Sequence, residues 1–113
     1  MKKLWVGLLA LSLAACVATT EQLAEQGDWY QIGYQDGLSG HTQRSFTNLA
    51  SLGSANQAEY EQGYLVGVEE YCNADFAYQM GLSGQYYEGV CEGTAQAQKF
   101  RMEWQRGWNE YNQ

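Results

Sequence analysis

The chain has 113 residues, with 13 acidic against 6 basic side chains, three cysteines, thirteen glycines and no proline. That length bounds it to one small domain, and a net charge of −7 argues against nucleic acid as a partner. There is no run of about 18 apolar residues to span a bilayer, and an aromatic content of 14% is too rich for a disordered chain.

Lys2 and Lys3 open the chain, an apolar run follows from Leu4 to Leu13, and Ala14, Ala15 and Cys16 close it. A charged start, a short apolar stretch and small residues before a cleavage point read as a secretory signal. The apolar run is too short to cross roughly 30 Å of hydrocarbon as a helix, so export and cleavage are expected. Leu13 to Cys16 resembles the lipobox of bacterial lipoproteins, in which the cysteine becomes the acylated first residue; an ordinary cleaved signal with Cys16 as a spare thiol is the alternative. More than one acyl chain makes such an anchor stable. Val17 stands where aspartate marks inner-membrane retention in enterobacterial lipoproteins, so the resemblance implies outer-membrane sorting with the domain facing the periplasm. Loss of residues 1–15 removes Lys2 and Lys3, so the mature net charge becomes −9. Residues 16–27 then read as an acylated terminus and polar tether, whose Glu21 and Glu25 keep the domain off anionic headgroups.

From residue 28 the apolar spacing is helical. Tyr60, Tyr64, Gly67 or Val68, and Tyr71 fall on one stripe, as do Ala97, Phe100, Trp104, Trp108 and Tyr111. Asp28 with Gln31, and Ser54 with Gln57, have capping-box form, and Asn73 is placed to cap the next segment. Gly40, Gly53 and Gly84 stand where left-handed C-terminal caps belong. These signals predict helices near 29–39, 45–52, 55–71, 74–83 and 94–111: an all-α fold of four to five short helices over residues 28–113.

One pattern recurs four times, an aromatic residue, two others and a glycine, at Tyr30–Gly33, Tyr60–Gly63, Tyr78–Gly81 and Trp104–Gly107. Unequal intervals argue against a solenoid and for a local packing device reused within one domain. A glycine inside a helix costs about 1 kcal/mol relative to alanine. Gly33, Gly37, Gly63, Gly67 and Gly107 therefore read as sites of close helix or ring approach. After Cys16 there are fifteen aromatic residues against thirteen Val, Leu, Ile and Met, so rings must fill much of the core. The small-xxx-small spacing is that of membrane helix pairs, but Gln31, Gln35, Asp36, Glu61 and Gln62 on the same segments exclude a lipid-facing span. Asp36, between Gly33 and Gly37, is either buried with Arg101, Arg106 or a tyrosine hydroxyl as partner, or exposed on the far face.

With Cys16 assigned to lipid, Cys72 and Cys91 are an even pair in an oxidising compartment, and a structural disulfide is the simplest account. A zinc site needs three or four ligands, and two thiols with His41 lack the paired short spacing, so no metal is expected. His41 reads as a solvated turn residue. Glu69 and Glu70 project about 100° apart on a helix and cannot converge as a catalytic carboxylate pair. Ser39 and Ser83, each within Gly-Leu-Ser-Gly, lack the order of a nucleophile elbow and read as helix ends. No catalytic residue and no cofactor is expected.

Asp28, Trp29, Gly33, Asp36, Gly37, Tyr71, Cys72, Gly81, Gly84, Tyr87, Val90 and Cys91, in this order and spacing, resemble a family of short bacterial lipoproteins built on a domain of unknown function, DUF2799. The resemblance spans most of the mature chain and implies no catalytic or binding residues. Glu92 departs from it, standing after Cys91 where proline is expected. Two functional expectations follow. One is a non-enzymatic envelope lipoprotein whose exposed aromatics dock a protein partner. The other is a module for peptidoglycan or another glycan, with Tyr86 and Tyr87 as candidate stacking rings.

Overall fold

The computed structural model describes residues 18–113; the segment expected to be a signal, Cys16 and Val17 lie outside them. Six α-helices follow in order: α1 Thr20–Glu25, α2 Trp29–Leu38, α3 Phe46–Ala50, α4 Gln57–Tyr71, α5 Ala77–Leu82 and α6 Ala97–Tyr111. A 3-10 turn, Ala74–Phe76, precedes α5. Among the described residues there is no strand, so the fold is all-α, and Cys72 and Cys91 form a disulfide.

Local chemistry sets the helix ends. The Asp28 carboxylate accepts the Gln31 amide and starts α2, and Asn73 accepts the Asp75 amide ahead of the 3-10 turn. Asn56, not Ser54, caps α4 through the Glu59 amide, so that helix starts at Gln57. The last helix starts at 97 and not 94, because the Thr94 hydroxyl and amide both fold back onto the Cys91 carbonyl and hold residues 91–94 in a turn. Gly40 and Gly84 take the left-handed conformation, with φ of +76° and +85°, each receiving a tyrosine ring, Tyr71 or Tyr111. Gly53 follows the α3 C-cap Ser51 by two residues with φ +154°, positive but far from the values at Gly40 and Gly84. The expected tether is also shorter than the sequence suggests. Residues 20–25 form α1 under a complete Thr19–Gln22 capping box, and Leu23 is buried in the core.

Two helix pairs organise the molecule. α2 lies on α4, and α5 on α6, each through glycine. A Cβ built at Gly33, Gly37, Gly63, Gly67, Gly81 or Gly107 would come within 3.0 Å of the partner's backbone. Gly33 faces the Tyr60 carbonyl, Gly63 the Tyr30 carbonyl, and Gly37 and Gly67 face each other; Gly81 and Gly107 do the same in the second pair. Register advances in the same sense on both helices, so each pair runs parallel and requires a crossover between its members.

The second pair repeats the first. Adding 44 to a position on α2, or 40 to one on α4, gives its counterpart on α5 or α6. Gly37-Leu38-Ser39-Gly40 becomes Gly81-Leu82-Ser83-Gly84, and Tyr60, Tyr64, Gly67 and Tyr71 become Phe100, Trp104, Gly107 and Tyr111. Contacts repeat with the residues. Tyr34 donates to Glu70 and Tyr78 to Glu110, each at 2.7 Å. The Tyr64 hydroxyl donates to the His41 carbonyl, and the Trp104 indole N–H to the Gln85 carbonyl, which is the equivalent turn position. The four-residue difference in offset is the difference in crossover length. The longer first crossover holds α3 and plugs the core with Leu49; the second plugs it with Tyr87 and Cys91.

Candidate functional site

The most polar buried feature is Asp36, between the notch glycines of α2. It is 8% exposed. Its carboxylate accepts the Arg44 Nε–H at 2.7 Å and the Tyr60 hydroxyl at 2.8 Å; that hydroxyl accepts the Arg44 amide at 3.0 Å. Arg44 also donates through Nη1 to Asn48 Oδ1, which fixes the start of α3. Asp36 is thus buried and paired, but its cation is Arg44, which the crossover folds back over α2. Arg101 and Arg106 lie on α6 and pair with Glu92 and Glu103. Burial drives the Tyr60 phenol well above its usual range; the Arg44 amide opposes this and the Asp36 contact adds to it. The bond to Asp36 holds the Arg44 guanidinium above its own. The donors and acceptors of this network are turned on one another, so it holds the first crossover in place. In the second pair the counterparts are Met80 and Phe100, and the same space is apolar.

The two candidate binding rings have opposite fates. Tyr86 is 72% exposed and stands edge-on to Trp104 and Trp108. Tyr87 is buried, packs on Phe100 and Trp104, and accepts the Cys91 amide at 3.0 Å, so it is a core residue and not a binding ring. Burial raises its phenol pKa. Its neighbour Glu92 accepts two contacts from Arg101 and one from the Tyr87 hydroxyl, so the residue found in place of the expected proline fastens the loop exit to α6.

Between the helix pairs runs a shallow groove. Leu38, Phe76 and Met80 supply apolar surface, and Glu69, Glu70 and Gln96 flank it. Leu38 and Phe76 are exposed although both are large and apolar. Stripe periodicity cannot single them out, because Leu38 ends a helix and Phe76 begins one. Arg44 was missed for a related reason: it sits in a crossover with no period. The two Gly-Leu-Ser-Gly strings were the available sign of the duplication, masked by unequal intervals.

The other chemistry-bearing residues serve the seam or the surface. His41 lies exposed with Nδ1 3.5 Å from Glu88, whose other oxygen accepts the Thr42 amide and ties the second crossover to the first. Glu70 receives the Tyr34 hydroxyl, and Glu69 faces solvent beside it. The Ser83 hydroxyl donates to the Met80 carbonyl, and Ser39 ends α2. Among the described residues no group of three or more His, Cys, Asp or Glu is placed to hold a metal ion. Cys16 lies outside them.

A glycine-notched pair of parallel helices, duplicated and joined by one disulfide, places the chain in a class of small all-α domains. Residues 28–109 match the family described as protein of unknown function (DUF2799), and the chain belongs to that family. It is 32% identical over 113 residues to the uncharacterized protein YfiL of Escherichia coli (strain K12), with 97% of this chain and 93% of that protein covered. No solved structure matches it.

Proposed function

We propose that the chain is a non-enzymatic cell-envelope lipoprotein, acylated on Cys16, held on the outer membrane and facing the periplasm, where its helical body docks a protein partner or serves a structural role. The anchor reading rests on the Lys2 to Cys16 segment and on the pairing of Cys72 with Cys91, which leaves Cys16 as the remaining thiol. The docking reading rests on the groove between the helix pairs. Phe76 and Leu38 stand exposed along it, and a protein surface that covers large apolar side chains gains more from them than water does. Acidic Glu69 and Glu70 at its edge favour a partner that brings basic residues.

Two measurements on the full chain test this. Mass analysis of the exported protein should find an acylated N-terminal Cys16, and Cys16→Ser should release the protein from the membrane fraction. A photoreactive residue at Phe76 should crosslink one envelope protein in intact cells, and Leu38→Ser with Glu70→Gln should abolish the adduct. Retention on purified peptidoglycan, with no protein adduct at Phe76, would reverse the reading in favour of a glycan module using the exposed Tyr86 ring.

A further inference from the structure

How far from its anchor does the folded body begin? Ala18, two positions after Cys16, already packs against the core, and Thr19 is locked in the capping box that starts α1. Val17 alone separates the expected acyl cysteine from a side chain of the body. Two residue steps of extended chain span at most about 7 Å, so an anchor at Cys16 fixes the bilayer surface beside α1. The helix itself is held: the Asp28 amide donates to the Leu23 carbonyl at 2.9 Å and closes the turn into α2, while Leu23 enters the core.

We propose that the body lies directly on the lipid surface, with the start of α1 and the first crossover against the headgroups and the Phe46 ring among them. The inference rests on acylation of Cys16, and it goes beyond that reading by naming the face that the anchor presses on the membrane. The length of chain outside the body selects the occupant, since the bilayer is what an acyl group two residues from Ala18 brings there. Position and charge select the face. Glu21, in the first turn of α1, is near enough to Arg44 for its charge to help raise the guanidinium pKa, so the anchored helix and the crossover share one side. Residues 37–58, which hold that crossover, contain no aspartate or glutamate, the longest such stretch after Cys16. Carboxylates that do touch the crossover are engaged: Asp36 is buried under Arg44 and Tyr60, and Glu88 accepts the Thr42 amide beside His41. Glu25 stands at the end of α1 away from the anchor. Gln43, Ser45, Thr47 and Ala50 give the crossover a neutral exposed surface, and Phe46 is 56% exposed within it while Leu49 plugs the core. Anionic headgroups repel the acidic remainder of the body, which favours this approach. One ring at the headgroup boundary binds weakly from free solution, but an anchor this short has already confined it there.

The test uses the full exported chain, purified from membranes and reconstituted alone into vesicles of phosphatidylethanolamine and phosphatidylglycerol, about three to one. A photoreactive phenylalanine analogue replaces Phe46 or, as control, Phe76, a groove ring of the same 56% exposure. The expected result is a lipid adduct from position 46 at least about tenfold above that from position 76. Inserting about fifteen Gly and Ser residues between Val17 and Ala18 should keep the helical circular dichroism and lower the yield at 46 about tenfold, because effective concentration falls with linker length. Equal yields from 46 and 76, a yield at 46 unmoved by the insertion, or an adduct from 46 to a second copy in place of lipid would each overturn the proposal. Intact mass of the same sample keeps the two readings apart. Equal yields on an acylated chain overturn the face alone, whereas a chain without acyl groups overturns the anchor and the face with it.

Discussion

The first and second helix pairs solve one packing problem with different chemistry. Both bring parallel helices into backbone contact at glycine, and both seat a tyrosine ring on the left-handed glycine of a Gly-Leu-Ser-Gly turn. The first then fills its interior with a buried carboxylate, a guanidinium and a phenol, Asp36, Arg44 and Tyr60. The second sets Met80 and Phe100 in those places and relies on Tyr87 and the Cys72–Cys91 bridge. The notch is thus the common requirement, and what surrounds it is exchangeable. A polar network specifies where a crossover lies; a covalent bridge achieves the same with apolar neighbours.

That contrast can be broken most sharply at the notches. Gly63→Ala or Gly33→Ala should cost about 3 kcal/mol or more, because the added methyl meets backbone that cannot rotate away. Chemical denaturation would measure it, and a loss under about 1 kcal/mol would show that the first pair tolerates separation. Cys72→Ser should cost about 3 kcal/mol, and hydrogen exchange should show α5 and α6 loosening more than α2 and α4. Equal loosening of both pairs would count against the division of labour. Asp36→Ala should cost about 2–3 kcal/mol by leaving the Arg44 Nε–H and the Tyr60 O–H without their acceptor. The transplant Asp36→Met with Tyr60→Phe, which writes the second pair's residues into the first but leaves the Arg44 guanidinium and amide without their acceptors, should cost at least as much as Asp36→Ala.

Alkaline pH should separate the pairs without mutation. Burial raises the phenol pKa values of Tyr60, Tyr64 and Tyr71, so the fold favours their neutral forms. That contribution is full below the ordinary tyrosine value of about 10 and declines as pH rises above it. Two of the three counterparts, Phe100 and Trp104, do not titrate, so the second pair sets the single buried phenol of Tyr87 against three in the first. Amide exchange above about pH 10 should therefore quicken first in α2 and α4. The smallest effect belongs to the turns: Gly84→Ala should destabilise by about 1 kcal/mol and Gly40→Ala by more. The Tyr111 ring over Gly84 is free to swing outward, whereas the Tyr71 ring over Gly40 is enclosed. Melting temperatures of the two variants would rank them.

How much of this is legible in the residues depends on whether a local signal exists. The helices were readable because aromatic spacing, Asp28, Asn73 and the capping glycines act within a turn or two. Interior glycines pointed to close approach because nothing else explains their cost in helices. The bridge followed from an even pair of cysteines. Direction was not readable: whether α2 and α4 run parallel depends on how the crossover returns, and no residue states that. Arg44 as the partner of Asp36, the burial of Tyr87 beside an exposed Tyr86, and the surface positions of Leu38 and Phe76 all depend on where the crossovers land. α1 was hidden because a polar six-residue helix carries a single buried apolar side chain, Leu23, and so shows no stripe.

The parallel course of the paired helices also bears on the order in which the chain can assemble. Neither notch can meet its mate until an intervening segment has looped back, so both pairs form late relative to their own helices. Cys72 ends the first pair and Cys91 lies within the second loop, 19 positions on. A chain emerging from its N-terminus can therefore finish the first unit while the second thiol is still to appear, and oxidation then records that the second loop has reached its place.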